Sequence, residues 1–515
     1  MFETLARPRR LPASTIVGSL GIVLAIAGGA AVAVAPLPAV GLAGGIAVLI
    51  GLLAAGQRSG RVFLASLATI LVIYAFLNKG GAYIGVAPIY ISEVVLFIGL
   101  IALILNLANL RLSLIHGLLI AFMLWGLART IPYVSTYALD ALRDGVTWAY
   151  GLFAIAITAC IRPRDYATLV RWFRRFLPYY VVAMPLVAVF THVFDAYIPR
   201  WPNTPQGGVT VIFFGNGHTG VILGAAGAFM LLGMFAWSKR ERFIEPFLWV
   251  VWLLGVAICG SLNRGSLLAA STAGLAVPFL RTRSRWLTLA IIAPVILALA
   301  AAINPVIDLG TVRKVSFDQL LDNVLSVVQG GSTDRDLEGT AEWRLAWWTK
   351  IVDYTVNGPY FWEGKGFGIN LADDDGFQVN ADGSLRAPHN GHIEILARAG
   401  VPGLVLWVLL QGSYAVGLLR AALGAHRARK DFWVRIHAFL LIFWLAAMIN
   451  MSFDPYLQGP HGGIPFWAFF GLGLGAMRAW KTPEGAEVDA AESTPPPDVV
   501  EGPRYRPHVP VPAGS

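Results

Sequence analysis

Cysteine is nearly absent from this 515-residue chain: only Cys160 and Cys259 occur, each inside an apolar stretch. Two such residues supply neither a disulfide framework nor a thiolate metal site. Charge is scarce as well, at 13% of residues against 56% apolar ones, and the mean hydropathy is +0.64. That balance excludes an ordinary soluble protein and puts the chain in the polytopic membrane class. There is no G-x-x-x-x-G-K-[ST] loop, and every connection expected on the cytoplasmic side is too short to fold as a nucleotide-sugar domain. Chemistry driven by ATP or a sugar nucleotide in the cytoplasm is therefore not expected. The net charge of +9 would point to nucleic acid in a soluble domain. Here it reports the positive-inside rule and an anionic inner leaflet, with membrane lipids rather than nucleic acid as partners.

What is present is apolar sequence in runs near the length of a membrane helix, about 17 to 25 residues. They fall at 16–35, 38–55, 61–77, 91–108, 112–128, 145–161, 177–194, 215–237, 247–260, 265–280, 286–303, 401–420, 433–451 and 464–480. The expected fold is an all-α polytopic membrane protein of about 14 (12–14) transmembrane helices, with one large extracytoplasmic loop containing helices near the membrane surface. Met1 to Ser14, with Arg7, Arg9 and Arg10, reads as a cytoplasmic start before a membrane anchor rather than a cleaved signal. Basic connections at Gln57 to Arg61, Arg162 to Arg175, Lys239 to Arg242, Arg281 to Arg285 and Arg420 to Arg435 fall on one side, which is taken as cytoplasmic. The division that follows is a bundle over 1–303 with about eleven spans, a periplasmic loop over 304–400, three last spans over 401–480 and a disordered cytoplasmic tail over 481–515. Both termini are expected in the cytoplasm of a bacterial cell, with the bundle in its inner membrane.

The loop carries the unusual residues. Thr340 is expected to cap a helix ending near Asn357, stopped by Gly358-Pro359. Its Trp343, Trp347, Ile351 and Tyr354 form an aromatic stripe suited to a membrane surface. Asp373, Asp374 and Asp375 read as a solvated turn rather than an ion site, so no metal is expected. Farther on, the run Arg386 to Gly403 reads R-A-P-H-N-G-H-I-E-I-L-A-R-A-G-V-P-G. A helix opened by Pro388 would put His389, His392, Ile393 and Leu396 on one face and pair Glu394 with Arg398, exposed, on another. Gly400 to Gly403 would break it.

The H-N-x9-G-x-x-G arrangement of His389, Asn390, Gly400 and Gly403 is similar to the signature of the O-antigen ligase and O-antigen polymerase superfamily. The run W-R-L-A-W-W with G-P and G-K-G-F-G (Trp343 to Gly368) resembles that family's arginine-bearing loop helix. Leu262 to Leu268, L-N-R-G-S-L-L, looks like its S-R-G-type turn, and Ala141 to Asp144, A-L-R-D, like its outer-end Arg-Asp element. The likeness covers about residues 140 to 470. It implies a polytopic glycosyltransferase that moves a glycan from undecaprenyl diphosphate to an acceptor hydroxyl, on a glycan or a lipid, at the outer face of the inner membrane, in surface polysaccharide or lipopolysaccharide synthesis. By motif match Arg264 and Arg344, with Arg143, would bind the donor diphosphate. His389 would be the base or would position the acceptor, with Asn390, His392, Gly400 and Gly403 in support. After Gly403 come Leu404 and Val405 where the ligases have paired threonines, which speaks against a lipid A core as acceptor.

The chemistry asks for the same groups. Transfer from a lipid diphosphate needs permanent cations at the headgroup plane, and arginine supplies them. Arg264 between two apolar runs is costly unless it is used, although it would also fit a tight turn from which it snorkels. A sugar hydroxyl benefits from a base near neutral pKa, a role open to His389. The expected reaction is inverting, metal-independent transfer without a cofactor. A transporter or lipid-glycan flippase is the alternative, but it predicts ionisable residues near the midplane and repeated halves. A structural membrane partner would need no histidine and arginines gathered at one interface.

Overall fold

The computed structural model describes residues 51, 56–86, 89–202, 208–279, 284–303, 306, 314–329 and 335–493. Apart from residue 51, the expected spans at 16–35 and 38–55 lie outside the described residues, as does the basic connection at 281–283. The fold is helical, with a two-residue hairpin, β1 (Gly85–Val86) and β2 (Ile89–Tyr90), as its sheet among the described residues. The first half comprises α1 (Ser59–Leu77), α2 (Ile91–Leu105), α3 (Leu114–Tyr137), α4 (Leu139–Ala149), α5 (Gly151–Cys160), α6 (Pro163–Val193), α7 (Asn216–Leu231), α8 (Lys239–Leu262), α9 (Arg264–Ser271) and α10 (Ser284–Ile303). There follow α11 (Phe317–Gln329), α12 (Arg335–Val352), α13 (Leu371–Asp375), α14 (Gly391–Arg427), α15 (Asp431–Met451), α16 (Pro460–Ala479) and α17 (Pro483–Ser493).

Six helices among the described residues are long and apolar enough to cross a membrane: Ser59–Tyr83, Leu114–Tyr137, Pro163–Val193, Lys239–Leu262, Gly391–Arg427 and Asp431–Met451. The expected count of about fourteen is not confirmed: two of those spans lie outside the described residues, and others form shorter, closely packed helices. Helix α5 is only 10 residues long, and Phe153, Ala154 and Ile157 in it are wholly buried. Helix α7 buries Val221, Leu223, Ala228 and Met230 just as fully. Such helices are apolar all round because protein surrounds them. The run at 265–280 is split as well, into α9 and a 3₁₀ turn over Thr272–Phe279.

The basic connections gather at one end of the bundle. There Arg478 Nη1 donates to the Asn109 carbonyl (3.1 Å), Arg174 Nε to that of Met234 (3.0 Å) and Lys430 Nζ to that of Trp480 (2.7 Å). The tail expected to be disordered from residue 481 instead forms α17 at this end, while 494–515 lie outside the described residues. Polar composition misleads here because the helix docks through hydrogen bonds and buried Val488 as well as through charge. Arg164 pairs with Glu484 (3.1 Å) and Glu487 (3.2 Å), and Arg171 with Glu492 (2.7 Å). Asp489 Oδ1 accepts from the Phe432 amide (2.9 Å), and Trp433 Nε1 donates to the Gly485 carbonyl (2.8 Å).

At the other end the segment 335–400 folds around a small core of its own, built from Trp347, Ile351, Leu371, Ala372, Leu385, Leu396 and Ala397. The aromatic stripe of α12 is the centre of that core, so it does not lie on a membrane surface as expected. Trp347 is wholly buried and donates from Nε1 to Asp375 Oδ2 (2.7 Å). Asp375 is therefore no part of a solvated turn: Lys365 Nζ reaches both Asp374 and Asp375 at 2.5 Å and makes that acidic cluster an internal counter-charge. Helix α12 begins at Arg335, ahead of the expected Thr340 cap, and a π turn over Asp353–Asn357 carries it to the Gly358-Pro359 stop.

Helix α14 breaks at Gly400, whose φ of 68° and ψ of −172° no helix contains, and resumes at once. A Cβ there would lie 2.6 Å from the Phe361 carbonyl, which accepts from the Val401 amide (2.8 Å), so only glycine allows the loop so close. Val401, Pro402 and Gly403 are the first turn of the long apolar half rather than part of the break.

Candidate active site

The segment before α14 sets the position of His389. The Pro388 carbonyl accepts from Trp348 Nε1 (2.7 Å), tying it to α12. Asn390 is the N-cap: its Oδ1 accepts from the amides of His392 (3.0 Å) and Ile393 (3.2 Å). His389 therefore stands outside the helix, in left-handed backbone with φ 51°, and the expected shared face with His392 does not form. The His389 ring lies 6.4 Å from that of Trp343. His392 turns into the bundle instead, accepting at Nδ1 from Trp407 Nε1 (3.1 Å) and donating from Nε2 to the Met448 carbonyl (3.4 Å). Gly403 packs against Ala399 and Trp125, while Trp125 Nε1 donates to the Ala399 carbonyl (2.8 Å) at the break.

The arginines converge on the same end. Arg264 is the first residue of α9, after the cap made by Asn263 Oδ1 with the Ser266 amide (3.0 Å). Its Nε points to Asn323 Oδ1 (3.4 Å), and Asn323 Nδ2 in turn donates to the carbonyls of Gly260 and Ser261 (both 2.8 Å). Arg344 projects from α12, half-buried, with no hydrogen-bond partner for Nε among the described residues. Burial works against its charge, the carboxylate of Asp454 favours it, and Arg264 repels it, leaving the guanidinium below its usual pKa. Burial first, and the charge of Arg344 second, pull His389 down to about 4. At neutral pH its imidazole is therefore uncharged and holds a free lone pair.

Asp454 was not singled out by any sequence pattern. It lies in the Ser452-Phe453-Asp454-Pro455 connection between α15 and α16, and Phe453 packs on Gly265, next to Arg264. Burial pushes its carboxyl up to about 6, against the opposing charges of Arg344 and Lys79. Lys79, in the 3₁₀ turn after α1, feels both Asp454 and Arg143. Arg143 is the outermost of the cations, partnered by Asp140 (3.3 Å) and Asp144 (3.6 Å). A lone acid in a short connection between two spans, on the side of the polar loop, is the signal that marks Asp454. Lys79, just beyond an apolar run, gives a weaker one.

A buried ionic network fastens the loop to the bundle. Arg398, wholly buried, holds Glu394 Oε1 (2.8 Å) and Asp144 Oδ2 (3.1 Å), whose side chains are 3% and 4% exposed. Arg386 bridges Asp144 (3.0 Å) and Asp140 (3.3 Å), and Gln458 donates to Glu394. The expected exposed Glu394–Arg398 pair is thus a buried one, because the helix carrying it is covered by the loop: Lys365 N donates to the Ala397 carbonyl (2.7 Å) and Gly366 N to that of Arg398 (3.0 Å). Among the described residues no group of three or more His, Cys, Asp and Glu side chains is placed to hold a metal ion.

Cations, a neutral histidine and a raised carboxylate at one end of a helical bundle can bind a multiply charged anion and accept a proton. Residues 249–408, which include Arg264, Arg344 and His389, match the family model described as O-antigen ligase. Those residues carry the chain's likeness to the O-antigen ligase superfamily. No curated protein matches it. The match and the apolar helices support a membrane protein of a glycan-ligase family, of the kind found in the bacterial inner membrane.

Proposed function

We propose that this protein acts as an O-antigen ligase superfamily member and transfers a glycan from undecaprenyl diphosphate to an acceptor hydroxyl, on the outer face of the inner membrane, by an inverting single displacement. The observation that carries the reading is the electrostatic chain from Arg264 to Arg344, and from Arg344 to both His389 and Asp454. Arg264 and Arg344 hold the diphosphate, with Lys79 and Arg143 at its edge, so permanent cations take up leaving-group charge without a metal. The acceptor oxygen forms the new bond to the anomeric carbon as the bond from that carbon to the diphosphate breaks. The diphosphate leaves with the electron pair. Neutral His389 accepts a hydrogen bond from the attacking hydroxyl and places it. Asp454, with a pKa about 6, is better matched than His389 to keep the proton. With the basic connections in the cytoplasm, the loop 335–400 faces outward.

The test is transfer from a purified undecaprenyl-diphosphate glycan in detergent, with chelator present, by the native protein and by His389→Ala, Arg264→Ala and Arg344→Ala at equal folded yield. Product should vanish with donor binding kept in His389→Ala, and donor binding should weaken in the two arginine variants. Equal product from all four proteins would sink the site. Movement of the intact lipid-linked glycan across a vesicle membrane, with no new glycosidic bond, would favour the transporter.

A further inference from the structure

Beside the cation cluster, on its bundle side, buried polar groups gather without partners. Asn450 of α15 is 1% exposed, and neither atom of its amide has a hydrogen-bond partner among the described residues. The same holds for the hydroxyls of Ser266 and Tyr456, Nδ1 of His461 and Oδ1 of Asn216. These groups adjoin one another. The His218 ring lies 6.0 Å from that of His461 and 6.1 Å from that of Tyr456. Gly217 and Gly220, one turn apart on α7, back onto the others: a Cβ at Gly217 would come within 2.5 Å of Asn450 Oδ1, and one at Gly220 within 2.7 Å of Ser266 Cα. Folded proteins leave few buried polar atoms unsatisfied, and each costs free energy, so such a concentration marks a place where something polar is received.

The chemistry of the lining identifies the guest. It mixes donors and acceptors on amide, hydroxyl, phenol and imidazole groups, and brings the rings of Tyr456 and two histidines together. That combination suits a hydroxyl-rich sugar ring and suits neither an ion nor an acyl chain. Its place within the substrate follows from its neighbours. Tyr456 is two residues from Asp454, and His461 feels the charge of Lys79. A ring here would therefore adjoin the diphosphate held by the cations. We infer that His218, His461, Asn450, Asn216, Ser266 and Tyr456 form a subsite for the sugar bonded directly to the donor diphosphate, and that they select that sugar. This rests on the diphosphate assignment made above.

The two ideas separate by comparing two lipids, undecaprenyl diphosphate with and without the glycan, for equilibrium binding to the full-length protein in detergent. The native protein should bind the glycan-bearing lipid more tightly. Tyr456→Phe and Ser266→Ala each delete one unpartnered atom, so the free protein should unfold at an unchanged or slightly higher temperature. Each should lower affinity for the glycan-bearing lipid about fivefold, the worth of one net hydrogen bond, and leave affinity for the bare lipid unchanged. Asn450→Leu should lose more of the sugar-dependent gain. Equal affinity of the native protein for both lipids, or a gain that survives in all three variants, overturns the subsite and leaves the diphosphate assignment standing. Variants that unfold earlier and lose both lipids alike overturn it too, by showing a structural role. Binding of neither lipid by the native protein removes both assignments together.

Discussion

Arg398→Met tests whether the loop is clamped to the bundle by charge. The native guanidinium sits between Glu394 at 2.8 Å and Asp144 at 3.1 Å with no solvent exposure. Removing one partner of a buried pair strands the others, which costs about 3 to 5 kcal/mol. Here the stranded groups keep some company, Asp144 with Arg386 at 3.0 Å and Glu394 with the Gln458 amide, so the lower end of that range applies. About 3 kcal/mol raises the population of a locally opened loop on the order of 10²-fold. Hydrogen exchange at the Lys365 and Gly366 amides, which donate to the carbonyls of Ala397 and Arg398, should speed up by that factor, while amides in α15 do not change. Since Arg344 and His389 ride on this loop, donor affinity should fall with it. The double variant Arg398→Met with Glu394→Met removes one stranded charge and should recover part of the protection. Unchanged exchange in the single variant, or a double variant worse than the sum of both singles, would refute the clamp.

Asp454→Asn should abolish the acid limb of the pH–rate profile, which in the native protein falls as pH drops through about 6. The same change should stabilise the free protein. A carboxyl whose pKa is raised on folding favours the fold below about pH 4 and loses that contribution as pH rises through 6, so at pH 8 the native charge costs up to about 3 kcal/mol. Chemical unfolding at pH 8 and pH 4 should show the gain at the first and not at the second. His389→Asn keeps a residue that tolerates left-handed backbone, so unfolding should match the native protein while transfer drops about 10² to 10⁴-fold. At the basic end, Trp433→Phe loses the bond to the Gly485 carbonyl. Protease cleavage within 483–493 should accelerate; equal cleavage in both proteins would mean the exposed ion pairs alone hold α17, which their exposure argues against.

The legible part of this protein is what local pattern controls. The Gly400 break and the Gly358 stop were visible because a left-handed glycine and a Gly-Pro pair act within a few residues of themselves, whereas the start was placed at Pro388 and not at the Asn390 cap. Burial acts over long range, and there the pattern misled in a consistent direction. Trp347 at stripe spacing reads as a lipid anchor, and Glu394–Arg398 at i, i+4 reads as an exposed pair, until segments from 361–377 close over them. The same long-range burial wraps α5 and α7 in protein, although their sequences are as apolar as a membrane helix. In α17 the sequence offered acids and no apolar stripe, and the basic face of α6 that receives them lies more than 300 residues away along the chain.

The electrostatics also explain why motif residues alone do not complete the site. A histidine beside Arg344 that must stay uncharged to accept a hydrogen bond is kept so by burial and by that arginine, and the same two causes make it a poor store for a proton. The cations needed for a diphosphate therefore weaken the base that the motif supplies. A carboxylate answers both needs, since its negative charge offsets Arg344 and Lys79 while the site is empty, and burial has already lifted its pKa towards neutrality. When a diphosphate takes over those cations, Asp454 loses their stabilising charge and faces added negative charge. Its proton affinity then rises at the step where a proton is released. On the proposed mechanism donor binding would thus prepare the base, and the native acid limb, lost in Asp454→Asn, should lie at higher pH with donor saturating than with donor scarce.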